Sequence, residues 1–130
     1  MKELTGRELM ALHAAGAAGA GGTAGALGTA GAVSTGTAPL LLLDVREAWE
    51  FALGAIHLTG VDTLNMPMND VPARLAELDP AQPVVCICHH GMRSAQVVAF
   101  LSHHGFSAAY NLAGGTDAWS EQIDANLPRY

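Results

Sequence analysis

Unbroken apolar runs alternate with helical periodicities along the chain from residue 40 onward. Leu40-Leu41-Leu42-Leu43 closes on Asp44, and Val84-Val85-Cys86-Ile87-Cys88 is apolar throughout. A run without polar alternation predicts a strand covered on both faces, as in a parallel sheet. Ala108 to Leu112 is expected to be a further strand, and Val61 to Leu64 to be the strand after the first helix of this region. Helical signals fall between them. One segment covers 46–53. Another covers roughly 71–78, with Asp70 as cap and Pro72 in its first turn. A third runs from Ser94 to His104, where Val97, Val98 and Leu101 share a face and Gly105 ends the helix. The last follows the Gly114-Gly115 turn, is capped by Thr116, and carries Trp119 and Ile123. Strands alternating with helices predict a parallel sheet with helices on both faces. Ligands of such sheets gather at the carboxyl ends of the strands, and Cys88 stands at one.

The first forty residues differ. Residues 4–13 predict a short helix, with Thr5 as cap, Glu8 at capping-box spacing, and Leu9 and Leu12 repeating at helical period. From 14 to 39 Ala, Gly and Thr dominate, and Leu27 and Val33 are the only sizeable apolar side chains. Ordering so many glycines is entropically costly, and little apolar area offsets it. The expectation is one domain over 1–130, with 14–39 a flexible Ala/Gly-rich insertion.

Composition narrows the function classes. Half of the residues are hydrophobic, but many are alanine and only 5% are aromatic, so the core is leaner than the percentage implies. The net charge is −6 and the six cationic residues are scattered, which argues against nucleic acid as a partner. No stretch has the length and apolarity of a membrane span, and the N-terminus lacks a signal-peptide pattern, so the expected location is the cytoplasm. The two cysteines, Cys86 and Cys88, are too close on one strand to frame a disulfide fold, and are expected to be reduced thiols.

The segment Cys88-His89-His90-Gly91-Met92-Arg93-Ser94 joins a buried strand to a helix. Three features converge on the sulfur. The helix N-terminus offers free N–H groups and the positive end of its dipole. Gly91 permits the positive-φ backbone that wraps amides around one point. Arg93 adds a fixed positive charge. Together they favour a thiolate, the nucleophilic form of cysteine, and equally a terminal persulfide. Cys86, in mid-strand, reads as an inert buried thiol.

At this point the sequence resembles the rhodanese-like family over nearly its whole length. The matching pieces, in family order, are Leu42-Leu43-Asp44-Val45-Arg46-Glu47, Trp49-Glu50-Phe51 with Gly54, Asn65-Met66-Pro67, the Cys88–Ser94 loop, and Tyr110-Asn111-Leu112-Ala113-Gly114-Gly115 with Trp119. The resemblance implies a rhodanese-like α/β fold: a central, mostly parallel five-stranded sheet with helices on both faces. It also implies that Cys88 carries sulfur within a substrate-binding loop formed by His89, His90, Gly91, Met92, Arg93 and Ser94. Two stretches depart from the family pattern. Segment 14–39 is longer than the usual link, and the usual His-Ile-Pro element is replaced by Ala55-Ile56-His57-Leu58.

The implied activity is that of a thiosulfate sulfurtransferase. Cys88 takes sulfane sulfur from thiosulfate or a similar anionic donor and passes it to cyanide, a thiol or a protein acceptor, without metal or organic cofactor. One alternative is a persulfide carrier or binding module without turnover. Another is an arsenate reductase or phosphatase, whose loop holds its arginine six residues after the cysteine. Here Arg93 is the fifth, and the tighter loop suits one sulfur atom. A zinc site is not expected. Cys86, Cys88, His89 and His90 crowd into five residues, and His13, His57, His103 and His104 supply no second pair at ligand spacing. His89 and His90 read as loop positions whose backbone matters more than their rings, and Asp44 with Arg46 as a structural ion pair.

Overall fold

A computed structural model of the chain describes residues 2–20 and 40–130. Ten elements lie among the described residues. They are β1 (Glu3–Leu4), α1 (Gly6–Ala20), β2 (Leu41–Asp44), α2 (Ala48–Leu53), β3 (Asp62–Asn65), two single 3-10 turns (Met68–Asp70 and Leu75–Glu77), β4 (Val84–Ile87), α3 (Met92–His103), β5 (Ala109–Leu112) and α4 (Gly115–Gln122), counting the two turns as one connection. The five strands form one sheet in the order β1-β5-β4-β2-β3, and every pairing is parallel. The expected α/β fold is therefore found.

The apolar runs form the middle strands because both faces of the sheet are covered. Leu41, Leu43, Val84, Cys86 and Cys88 point to one side and pack with Val97, Val98 and Leu101 of α3. Leu42, Val85, Ile87, Tyr110 and Leu112 point to the other and pack with Leu9 of α1 and Trp119 of α4. Side chains alternate faces along a strand, so one apolar run feeds both layers.

Several boundaries differ from the sequence reading. β1 was not separable from the first helix by pattern: it has two residues, held by Asn111 N–H donating to Lys2 O and Ala113 N–H donating to Leu4 O. The capping box forms as expected, Thr5 N–H donating to Glu8 Oε1 at 2.8 Å and Glu8 N–H to Thr5 Oγ1 at 3.0 Å. However, α1 runs on to Ala20, beyond the expected end at 13, because alanine favours the helix at this stretch. The remainder of the expected insertion, residues 21–39, lies outside the described residues. The helix expected over 71–78 is instead a pair of 3-10 turns. Glu77 N–H donates to Arg74 O and Leu78 N–H to Leu75 O, the i to i−3 pattern. Val71 and Leu78 still reach the core from there.

Candidate active site

Strand β4 is paired on both sides, with β2 and with β5. Cys88 follows its last residue and is 1% exposed. The chain then turns back through Gly91, in the left-handed region at φ 99°, and enters α3 at Met92. A Cβ at Gly91 would press on Gly114 N at 3.2 Å, so glycine serves both the turn and the close approach.

This turn aims donors at the sulfur. Gly91 N–H reaches Cys88 Sγ at 3.0 Å, Ser94 N–H at 3.4 Å, and Ser94 Oγ lies 3.2 Å away. Such a cradle at a helix N-terminus stabilises negative charge on sulfur. Cys86 sits below on the same face, fully buried, and desolvation pushes its thiol well above the ordinary range.

The loop is fastened from behind. Thr116 N–H donates to Cys88 O at 2.8 Å and Asp117 N–H to His89 O at 3.0 Å, so the first turn of α4 holds two loop carbonyls. Gly114 and Gly115 both have positive φ. A Cβ on Gly115 would collide with the carbonyl oxygens of Cys88 and His89. Gly115 is thus more than the turn residue that its sequence context indicates. Asn111, opposite Cys86 on β5, donates to Gly91 O at 3.0 Å and closes the third side.

The predicted loop residues divide by role. Gly91 and Ser94 contact the sulfur. Met92 points outward and is 76% exposed, and His90 is exposed beside it. His89 stacks on the Tyr130 ring, 4.1 Å between centroids, with Nε2 3.9 Å from Asp117 Oδ1. Burial, then the neighbouring His90, lowers its pKa, so the ring is neutral at pH 7.

Arg93 does not spend its charge on the sulfur alone, as the sequence reading had it. Its guanidinium donates to both oxygens of Glu50 on α2, at 2.7 and 2.9 Å. Glu50 also accepts from Glu47 N–H at 3.0 Å and from the Tyr130 hydroxyl at 2.6 Å. Arg93, aided by Tyr130 and Glu47 against the cost of burial, holds the Glu50 carboxyl at about 2. Behind it the expected ion pair is present: Arg46 Nη2 to Asp44 Oδ2 at 2.7 Å, fully enclosed, with Arg46 also donating to Tyr130 Oη at 3.1 Å. Glu50, Asn111 and Tyr130 escaped the sequence reading as site residues because their partners are 43, 17 and 84 positions away.

Known proteins agree with this architecture. The model of the rhodanese-like domain matches residues 31–122. A sulfurtransferase of Allochromatium vinosum is 38% identical over 84 residues, spanning 65% of this chain and 75% of that protein. The maize adenylyltransferase and sulfurtransferase MOCS3-1 is 35% identical over 95 residues, spanning 71% of this chain but 20% of the maize protein. The crystal structure of SSP1007 from Staphylococcus saprophyticus superposes with TM-score 0.64 at 28% identity, covering 95% of this chain and 97% of that one. The human single-domain sulfurtransferase TSTD1 shares the fold with TM-score 0.63 at 24% identity, covering 94% and 97%. No helix among the described residues is long and apolar enough to cross a membrane. Fold and sequence kinship converge on sulfur transfer as the general chemistry, and the chain belongs to the rhodanese-like domain family.

Proposed function

We propose that this protein is a thiosulfate sulfurtransferase working through a Cys88 persulfide. The Cys88 thiolate attacks the outer sulfur of thiosulfate. A new S–S bond forms, the bond to the sulfonate sulfur breaks, and sulfite leaves with that electron pair. A thiophilic acceptor, cyanide or a thiolate, then attacks the terminal sulfur and returns Cys88 as thiolate. Sulfur is conserved and no external oxidant or reductant is required.

The observation that carries this reading is the pair of backbone N–H groups, of Gly91 and Ser94, within 3.4 Å of Cys88 Sγ at the head of α3. It supports an anionic sulfur before transfer and a persulfide after it. Arg93 at the fifth position after Cys88 supports a one-atom cargo over a tetrahedral oxyanion. Transfer to a protein acceptor is a second reading. It is favoured by the exposed apolar side chains of Met92 and Trp49 near the loop, and by kinship to the maize adenylyltransferase and sulfurtransferase.

Two measurements test the proposal. Steady-state turnover with thiosulfate and cyanide should far exceed hydrolysis of an aryl phosphate, and the reverse would sink the assignment. Intact-protein mass spectrometry after thiosulfate treatment should show one added sulfur atom, retained in Cys86→Ser and absent in Cys88→Ser.

A further inference from the structure

The groups facing Cys88 Sγ differ in what they can do. The Gly91 and Ser94 amides can only donate. The Ser94 hydroxyl, 3.2 Å away, carries one proton and can donate to sulfur or accept from it, not both with a second acceptor in place. A second acceptor is in place: Asn111 Oδ1 lies 2.5 Å from Ser94 Oγ. The Asn111 amide is fixed in this sense, because its Nδ2 is held between Glu3 Oε2 and Gly91 O, each at 3.0 Å. A reversed amide would set oxygen against both acceptors. Asn111 and Ser94 are both buried, so an acceptor left idle there is costly.

We infer that Asn111 is a positioning residue: by keeping the Ser94 hydroxyl proton it makes the resting thiol the donor in a chain from Cys88 through Ser94 to Asn111, and withholds that hydroxyl from the thiolate. The inference rests on the reading of Cys88 as nucleophile. Three sulfur states then differ in their pairing. In the thiol, every group of the chain is paired. In the persulfide, the charge lies on the outer sulfur and Ser94 stays on Asn111. Only in the thiolate does a conflict arise. Either Ser94 abandons Asn111 Oδ1, or the charged sulfur faces an oxygen lone pair at 3.2 Å. Asn111 thus favours the resting and loaded forms over the thiolate between them, and shields the free cysteine from adventitious electrophiles.

The other charged and titratable groups around the sulfur are accounted for. They are Arg93 with its partner Glu50 on α2, His89 and His90 of the loop, Asp117 on α4, Cys86 on β4, Glu3 behind Asn111, and Tyr130 on His89. Ser94 Oγ is hydrogen-bonded to none of them.

The test is the pH profile of iodoacetamide alkylation, read as a single adduct by mass spectrometry in a Cys86→Ala background. If the hydroxyl served the thiolate, Ser94→Ala would move the midpoint to higher pH. The inference expects it unmoved or lower. Asn111→Leu frees the hydroxyl for sulfur and should lower the midpoint by about one unit. Well below the midpoint, roughly tenfold more thiolate, offset by its weaker nucleophilicity, gives roughly threefold faster alkylation. Asn111→Asp restores an acceptor for Ser94 and should return the midpoint to the parental value or above it. A rise of about half a unit in Ser94→Ala, or an Asn111→Leu profile no lower than the parent's, overturns the role of Asn111. If Asn111→Leu fails to fold, Ser94→Ala alone decides. A parent protein that gains no sulfur from thiosulfate, and takes no adduct at Cys88, sinks the nucleophile reading itself and this inference with it.

Discussion

Replacing Glu50 by Gln should remove a pH-dependent part of the protein's stability. The carboxylate is almost fully buried and takes a two-pronged bond from Arg93 at 2.7 and 2.9 Å. Its pKa falls from 4.5 to about 2, chiefly through that bond. At 1.36 kcal/mol per unit, the fall corresponds to roughly 3.4 kcal/mol. Arg93 is 34% exposed, so solvent screening reduces this to about 2 kcal/mol. The folded-state pKa lies below the unfolded one. The contribution is therefore complete above about pH 4.5 and disappears as the pH falls toward about 2. Urea denaturation of the parent and of Glu50→Gln at pH 7, 4.5 and 3 measures it. Other carboxylates titrate alike in both proteins, so the difference between them isolates Glu50. The parent should be more stable by about 2 kcal/mol at pH 7, and the gap should narrow steadily below pH 4.5. A gap that stays constant over this range would refute the reasoning, since the bond would then owe nothing to the ionised carboxylate.

Other substitutions test the remaining contacts. Arg93→Ala should cut sulfur transfer by about tenfold or more and also destabilise the fold by about 2–3 kcal/mol, because Glu50 loses its main partner; kinetics and melting together check both effects. Gly115→Ala should reduce turnover far more than it alters secondary structure by circular dichroism, since the new methyl must push the Cys88 and His89 carbonyls aside; unchanged kcat would show that the loop tolerates the shift. Asp44→Asn should cost about 3–5 kcal/mol in denaturation experiments by leaving the enclosed Arg46 without its carboxylate.

How much of this was legible in the sequence depended on distance along the chain. β2 and β4 announced themselves, because double-sided burial demands apolar runs, and β5 was legible although Asn111 interrupts its run. Cys88 and Gly91 were legible because strand end, glycine and helix start are contiguous. β1 was not, since two residues carry no periodicity and owe their pairing to β5. The 71–78 segment carries helical spacing at Val71, Leu75 and Leu78, but its bonding runs in single turns, such as Val71 N–H to Met68 O and Leu78 N–H to Leu75 O. The destination of Arg93 was hidden in the same way as Asn111. A loop cation looks free until a carboxylate 43 residues earlier is folded against it.

The fastening of the cysteine loop has a thermal consequence. Its carbonyls at Cys88, His89 and Gly91 are tied to α4 and β5, elements that also bury Trp119, Tyr110 and Leu112 in the main core. The loop has no route to melting on its own, because each tether it would have to release belongs to the sheet or to a helix packed on it. Heating should therefore leave the sulfur cradle intact until the domain opens as a whole, so that loss of sulfur transfer coincides with global unfolding rather than preceding it.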